Sequence, residues 1–143
     1  MSEGLSAAEK AALKATMAER RAEEKRAKAA NKAELDLKDV LGKIAEMPEP
    51  DRGLATKVHE LVTAAAPELY VKTWYGMPAY TKDGKVVVFF QSGGKYDSRL
   101  CTLGFQDKAA LDDGAMWPMS YAVVRIGKAE EKLITELVKK AVG

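Results

Sequence analysis

Residues 70–91, YVKTWYGMPAYTKDGKVVVFFQ, decide the fold of this chain. Aromatic and β-branched residues dominate 70–75 and Lys85–Gln91, and both classes favour strands. The segment Gly76-Met77-Pro78 is expected to break the first strand, and a second strand follows it. Asp83-Gly84 suits a two-residue hairpin turn, because such turns need residues that tolerate a positive φ. Three antiparallel strands are therefore predicted, and the unbroken apolar run of the third is typical of a central strand covered on both faces.

Two more strands and a helix are predicted downstream. The fourth strand covers residues 100–105 and the fifth covers 120–126, while 106–111 are expected to form one or two helical turns. The fifth strand places three apolar side chains on one side: Ala122, Val124 and Ile126. The closing helix covers about 128–142, and its apolar stripe consists of Leu133, Leu137, Val138 and Ala141.

Two amphipathic helices are predicted ahead of the sheet. Asp36 suits the N-cap of the first helix and Asp51 the N-cap of the second, because a carboxylate there accepts a hydrogen bond from a free backbone N–H. Strands joined by short turns are antiparallel. The predicted fold is therefore α+β, with an antiparallel sheet of about five strands packed against helices.

An additional helix rich in Ala and charged residues precedes this domain. Residues 6–33 contain no Pro or Gly and consist almost entirely of strong helix formers. Between Ala18 and Glu34 no apolar side chain is larger than alanine, so this helix has little to bury. The predicted organisation is a solvated extension over 1–34 and an α+β domain over 35–143. Contact with a second helix, nucleic acid or anionic lipid remains an alternative for the extension.

The charge balance and the cysteine content favour a cytoplasmic protein without a membrane or nucleic-acid partner. Residues 1–34 hold eight Lys or Arg and six Asp or Glu, whereas 35–143 hold fifteen of each sign, so the predicted domain has no net charge. A neutral domain lacks the basic footprint of a nucleic-acid-binding protein. A single cysteine rules out an internal disulfide. No signal peptide or membrane span is expected.

The few groups suited to catalysis argue against an enzyme. His59 and Cys101 are the only histidine and the only cysteine, so the usual Ser-His and Cys-His pairs and a closed zinc site are not expected. The sequence indicates that His59 is a surface or boundary residue and that Cys101 is a buried, inert thiol. Ser92-Gly93-Gly94-Lys95 lacks the frame of a phosphate-binding loop and is expected to be a flexible loop.

Two groups of residues are candidates for a binding site. Aromatic residues and methionines gather around Gly76 and Pro78 and again at 116–121, where they either fill the core or line a pocket. We expect the turn at 76–78 to join both groups into one ligand site formed by Trp74, Tyr75, Gly76, Met77, Pro78, Tyr80, Trp117 and Tyr121. A weak iron site is the second candidate, and its carboxylates are Asp97, Asp107, Asp112 and Asp113.

The segment Trp74-Tyr75-Gly76-Met77-Pro78-Ala79-Tyr80, together with 84–90 and 121–126, resembles the YdhG-like family, a catalogued domain of unknown function. The similarity covers about residues 36–142. This family is grouped with the frataxin-like and YjbR-like folds, which implies an antiparallel sheet packed against helices. Some members are described as frataxin-like iron chaperones that donate iron for iron–sulfur or haem assembly.

The leading functional hypothesis is a small, non-enzymatic binding domain without a cofactor, whose partner is an unknown small ligand or protein. The alternative is a frataxin-like iron chaperone. Frataxin-type iron binding relies on an acidic ridge on the first helix and the adjoining strand. In this chain Lys38 and Lys43 interrupt the acidic residues of that helix, and the first strand has no acid.

Overall fold

The computed structural model describes residues 5–143, and the chain divides into two compact units. The first unit ends at Leu35, and the second comprises Asp36–Gly143. Residues 1–4 of the predicted extension lie outside the described residues, and the solvation of that extension stays a prediction. Among residues 5–143, no helix combines the length and the apolar character needed to span a membrane.

Helix α1 (Ala7–Ala45) is continuous through the boundary between the units. The Oγ atom of Ser6 accepts a hydrogen bond from the backbone N–H of Glu9 and so caps its start. The prediction that a separate helix begins at Asp36 is wrong, because no Pro or Gly interrupts the chain there. Asp36 lies inside α1, and its carboxylate accepts a hydrogen bond from Tyr70 Oη instead of capping a helix.

The second unit contains one five-stranded antiparallel sheet, which confirms the predicted α+β fold. The strands lie side by side in chain order, so the third is central and the first and last form the two edges. The strands are β1 (Tyr70–Trp74), β2 (Met77–Lys82), β3 (Lys85–Gln91), β4 (Cys101–Phe105) and β5 (Ser120–Val123). Two more helices, α2 (Asp51–Ala65) and α3 (Lys128–Val142), complete the unit.

Two tight turns set the register of the first three strands. Tyr75 and Gly76 both have positive φ, at 50° and 76°, and the predicted turn at Asp83-Gly84 has φ of 53° and 76°. Positive φ at both central residues is the signature of the turn that matches the twist of a hairpin. The predicted break after the first strand is confirmed, since β1 ends at Trp74, but the second strand begins at Met77 and not at Ala79, because Met77 already pairs with Trp74. Pro78 is tolerated in β2 because pairing with β3 begins only at Ala79.

The hydrophobic core lies between one face of the sheet and the helices. Strand residues of that face, among them Tyr80, Phe90 and Leu103, form a cluster with Val62 of α2 and Val138 of α3. The other face of β3 is only partly covered, since Phe89 and Gln91 remain partly exposed. The predicted coverage of both faces of the central strand is therefore incomplete, although Val87, Val88 and Phe90 are fully buried.

The register of β5 corrects the predicted apolar faces at the C-terminal end. Tyr121 lies opposite Leu103 and Val123 opposite Cys101, so alternation turns Ala122 away from the core. The strand ends at Val123, and Val124 is 71% exposed. The bounds predicted for α3 are correct, but its buried residues are Ile134, Val138 and Ala141, and Leu133 is 49% exposed.

The segment between β4 and β5 contains no helix, so the helical turns predicted for 106–111 are wrong. Its backbone groups bond to neighbouring elements: the Gln106 N–H donates to Val87 O and the Ala110 N–H to Ala141 O. These bonds fix the segment along β3 and the end of α3. In a helix over 106–111 the Ala110 N–H would instead bond to Gln106 O.

Asp51 fastens the loop between β3 and β4 to the start of α2. Its carboxylate accepts hydrogen bonds from Ser92 Oγ at 2.6 Å and from the Gly94 N–H at 2.9 Å. The predicted N-cap role is wrong, because Asp51 is the first residue of α2 and the capping position is Pro50, which makes no side-chain cap bond. The loop expected to be flexible is therefore held by a buried carboxylate.

We expect Gly93→Ala to lower the free energy of unfolding by about 1–3 kcal/mol, the usual range for added volume in a packed site. A Cβ at Gly93 would lie 2.6 Å from Leu100 O and 2.8 Å from Ser98 O, so the backbone of the loop has to move. Gly42→Ala is the matched control, because a Cβ there meets nothing within 4 Å. In the middle of a helix that change should stabilise the chain by about 0.5–1 kcal/mol. Urea denaturation measures both values, and equal effects would contradict the packing argument.

Candidate functional site

The sheet face turned away from the helices carries a pair of aromatic rings. Trp74 of β1 and Phe89 of β3 lie with ring centroids 5.2 Å apart, and both rings are partly exposed. Strand β2 lies between β1 and β3, and its residue opposite Phe89 is the small, fully buried Ala79. On the other side Phe89 lies opposite Gly104, where a Cβ would come within 2.2 Å of the Phe89 ring. Two small residues thus allow the Trp74–Phe89 ring pair to lie directly on the backbone of the sheet.

A third ring extends this surface at the turn between β1 and β2. Tyr75 is 80% exposed and packs edge-on against Trp74, with ring centroids 5.1 Å apart. The loop after β3 holds its backbone in place, because Tyr96 Oη donates a hydrogen bond to Tyr75 O at 2.6 Å. A Cβ at Gly76 would lie 3.1 Å from the same hydroxyl. The exposed tyrosine therefore has a fixed backbone position.

An open depression of about 290 Å³ lies beside Trp74 on this sheet face. Its lining combines Trp74 with three basic residues, Lys72, Lys85 and Lys108. Asp107 is the one carboxylate in the lining, and Lys108 also pairs with Asp83 at 3.5 Å. We call this the sheet-face depression. Its walls present an aromatic surface together with an excess of positive charge.

The structure separates the residues that were expected to form one aromatic site. Met77, Pro78 and Tyr80 are buried, so they fill the sheet and the core. Trp117 and Tyr121 line a different cavity, of about 140 Å³, together with Leu137 of α3. Trp74 and Trp117 therefore line different cavities, and the structure does not join the two groups as expected. The reason is topological: Trp74 ends β1 at one edge of the sheet, whereas Trp117 precedes β5 at the opposite edge.

Phe89 and the three lysines belong to the site but were missed in the sequence. Phe89 lies within an apolar run, and such a run does not reveal which face is covered. The available signal was Gly104 inside a strand pattern, since a strand glycine often marks a close approach by another group. The lysines are far apart in sequence, and only the strand order brings them together.

The four carboxylates proposed for iron do not assemble into a site. Asp107 and Asp112 line one depression, Asp113 lines the cavity beside Trp117, and Asp97 follows the short 3-10 helix Gly94–Tyr96. Within residues 5–143 no group of three or more His, Cys, Asp or Glu side chains is placed to hold a metal ion. The iron hypothesis therefore has no donor cluster in the described part of the chain.

Cys101 and His59 are both engaged in packing. Cys101 is buried, as predicted, and burial raises the pKa of its thiol, with the neighbouring Asp51 carboxylate acting in the same direction. His59 lies at the boundary of the core, and its Nδ1 is 2.9 Å from Tyr80 Oη. Burial lowers the pKa of His59 and raises that of Tyr80, so the neutral forms of both are favoured.

We expect Asp51→Ala to lower the free energy of unfolding by about 1.5–3 kcal/mol, because two hydrogen-bond donors lose a charged acceptor. The Ser92 hydroxyl lowers the pKa of Asp51 below 3.8, so its contribution is complete above about pH 4 and disappears as pH falls through the lower pKa of the folded state. Asp39→Ala removes an exposed carboxylate and should change stability by less than about 0.5 kcal/mol. Denaturation at neutral and acidic pH measures this, and a difference between wild type and Asp51→Ala that persists at low pH would contradict it.

His59 should titrate with a pKa below 6.5 in the folded protein, because burial disfavours its charged form and only Glu60 acts against this. A lowered pKa means that the folded state prefers the neutral ring, so stability is full above about pH 6.5 and falls as the ring is protonated. An NMR titration of the single histidine gives the pKa. His59→Gln should flatten the dependence of unfolding free energy on pH between about 7 and 5. A pKa at or above 6.5 would contradict the burial argument.

The chain has no recognised relative that assigns this site. No family model matches it, and no curated protein or solved structure matches it either. The resemblance to the YdhG-like family therefore stays a prediction. The arrangement of the described residues is the basis for a functional proposal.

Proposed function

We propose that residues 36–143 form a non-enzymatic binding domain that holds a small ligand in the sheet-face depression. One observation supports this above the others: the Trp74–Phe89 ring pair lies partly exposed on the sheet face that the helices leave open. Ligand sites combine apolar and aromatic surface with a few polar groups. The depression has this composition, since Trp74 and Val86 share its lining with lysines and Gln106.

The ring pair is distinct from the aromatic filling of the core. Tyr80, Phe90 and Phe105 are buried on the covered face and account for the packing against the helices. Tyr75 extends the exposed aromatic surface next to Trp74 although it buries little of its own area. Contiguous exposed aromatic surface on a domain of this size is typical of an interaction site.

The state of the reactive side chains supports a binding role over catalysis. Covalent catalysis needs an accessible nucleophile next to a general base. Cys101 is buried with a raised pKa, and His59 lies against the hydroxyl of a buried tyrosine. Neither of them lines the sheet-face depression.

The test is a titration of the full-length, isotope-labelled chain with a library of small aromatic fragments, followed by NMR. The indole N–H of Trp74 and the amides of Tyr75 and Phe89 should shift together, because Trp74 lines the depression and the rings of Tyr75 and Phe89 pack against its indole. Tyr121→Phe should leave these shifts in place, since Tyr121 lines the cavity beside Leu137 and not the sheet-face depression. Trp74→Leu should abolish them.

Two results would overturn the binding proposal. The first is that fragments shift only residues of the Trp117 cavity, which would move the site to the other edge of the sheet. The second is that no fragment of the library shifts the Trp74 region. Trp74→Leu must keep a dispersed NMR spectrum in this comparison, and Trp74→Phe provides a second variant that retains an aromatic ring.

A further inference from the structure

We propose that the ligand of the sheet-face depression is a small molecule with a planar ring and an anionic group, of which a nucleoside monophosphate is the model. This inference rests on the binding function proposed above and adds the chemical class of the ligand. Its basis is that the lining of one open depression brings together the partly exposed Trp74 and three lysines, Lys72, Lys85 and Lys108.

The concentration of positive charge is local and does not follow from composition. Residues 35–143 contain equal numbers of basic and acidic side chains, yet the lining holds three lysines and a single carboxylate, Asp107. Lys108 pairs with Asp83, but that pair spans 3.5 Å and the Asp83 side chain is 75% exposed. Exposed pairs of this kind contribute little, so an anion can compete for the ammonium group. Lysine binds phosphate as a point charge.

The positions of the ring and the charges match a ligand that contains both parts. Lys72 and Trp74 are two residues apart on β1, so their side chains leave the same face of the sheet about 7 Å apart. A base and a phosphate joined by a sugar span such a separation. A planar ring can stack on an indole whatever its substituents, just as any nucleobase can stack on an aromatic side chain. Gln106 and Asp107 supply polar groups for the edge of that ring.

The size of the depression favours a single small molecule over a nucleic-acid strand. Its volume of about 290 Å³ is at the lower end of the range for ligand pockets, about 300–1,000 Å³. Binding of a strand relies on many phosphate contacts along a basic groove. A neutral domain with three lysines in one depression does not provide such a groove.

The test measures binding of adenosine monophosphate, adenosine and inorganic phosphate to the full-length chain by NMR and calorimetry. The monophosphate should bind about tenfold more tightly than adenosine at low salt, because only it adds a charge-assisted contact to stacking. Lys72→Gln and Lys85→Gln should each remove most of that difference and weaken binding of the monophosphate far more than binding of adenosine. Lys139→Gln is the matched control, since Lys139 is an exposed lysine on α3 outside the depression.

The outcomes separate this inference from the function on which it rests. Equal affinities for the monophosphate and adenosine would overturn the anionic class and leave the binding site in place. If fragments shift the Trp74 signals while neither adenosine nor the monophosphate binds, the anionic class is likewise overturned and the binding site stays in place. If fragments, adenosine and the monophosphate all fail to shift Trp74, both proposals fall. A single-stranded oligonucleotide that binds more tightly in proportion to its length would overturn the small-molecule assignment.

Discussion

The division of β3 side chains between two unequal faces is the constraint on which the second unit depends. Val88 and Phe90 are fully buried on the helix side, and burial of such side chains is worth about 1.5–3 kcal/mol each. Phe89 points the other way and stays partly exposed. It rests instead on Gly104 and against Trp74. The same strand therefore both anchors the core and creates the exposed aromatic surface.

Short-range signals were sufficient for the architecture. The Asp83-Gly84 turn, the bounds of β3 and the bounds of α3 follow from residues close together in the chain, and each prediction is confirmed. The five antiparallel strands follow from the same signals, because short connections leave few ways of pairing. Local propensity and hydrophobic periodicity contain this information directly.

Two of the failed predictions concern contacts between residues that are distant in sequence. Asp51 has the features of an N-cap, but its partners Ser92 and Gly94 lie in a loop about forty residues further along the chain. The candidate aromatic site failed for the same reason, since Trp74 and Trp117 belong to opposite edges of the sheet. Of the predicted aromatic site, Trp74 lines the depression that we assign to a ligand and Tyr75 packs against it, and of the predicted iron site only Asp107 lines that depression. Which edge a segment joins is decided by strand order, which no local pattern encodes.

The hydrogen bond from Tyr96 to the Tyr75 carbonyl has a consequence for molecular recognition. Tyr75 is an exposed aromatic residue at the tip of a hairpin, a position that is usually mobile. Its backbone is nevertheless bonded to the loop after β3, and Asp51 holds that loop in turn. Binding partners usually lose affinity when they must immobilise a flexible surface. Here the backbone of the tip is already ordered in the folded chain. A molecule that binds to this tip therefore loses little affinity to the entropy cost of ordering that backbone.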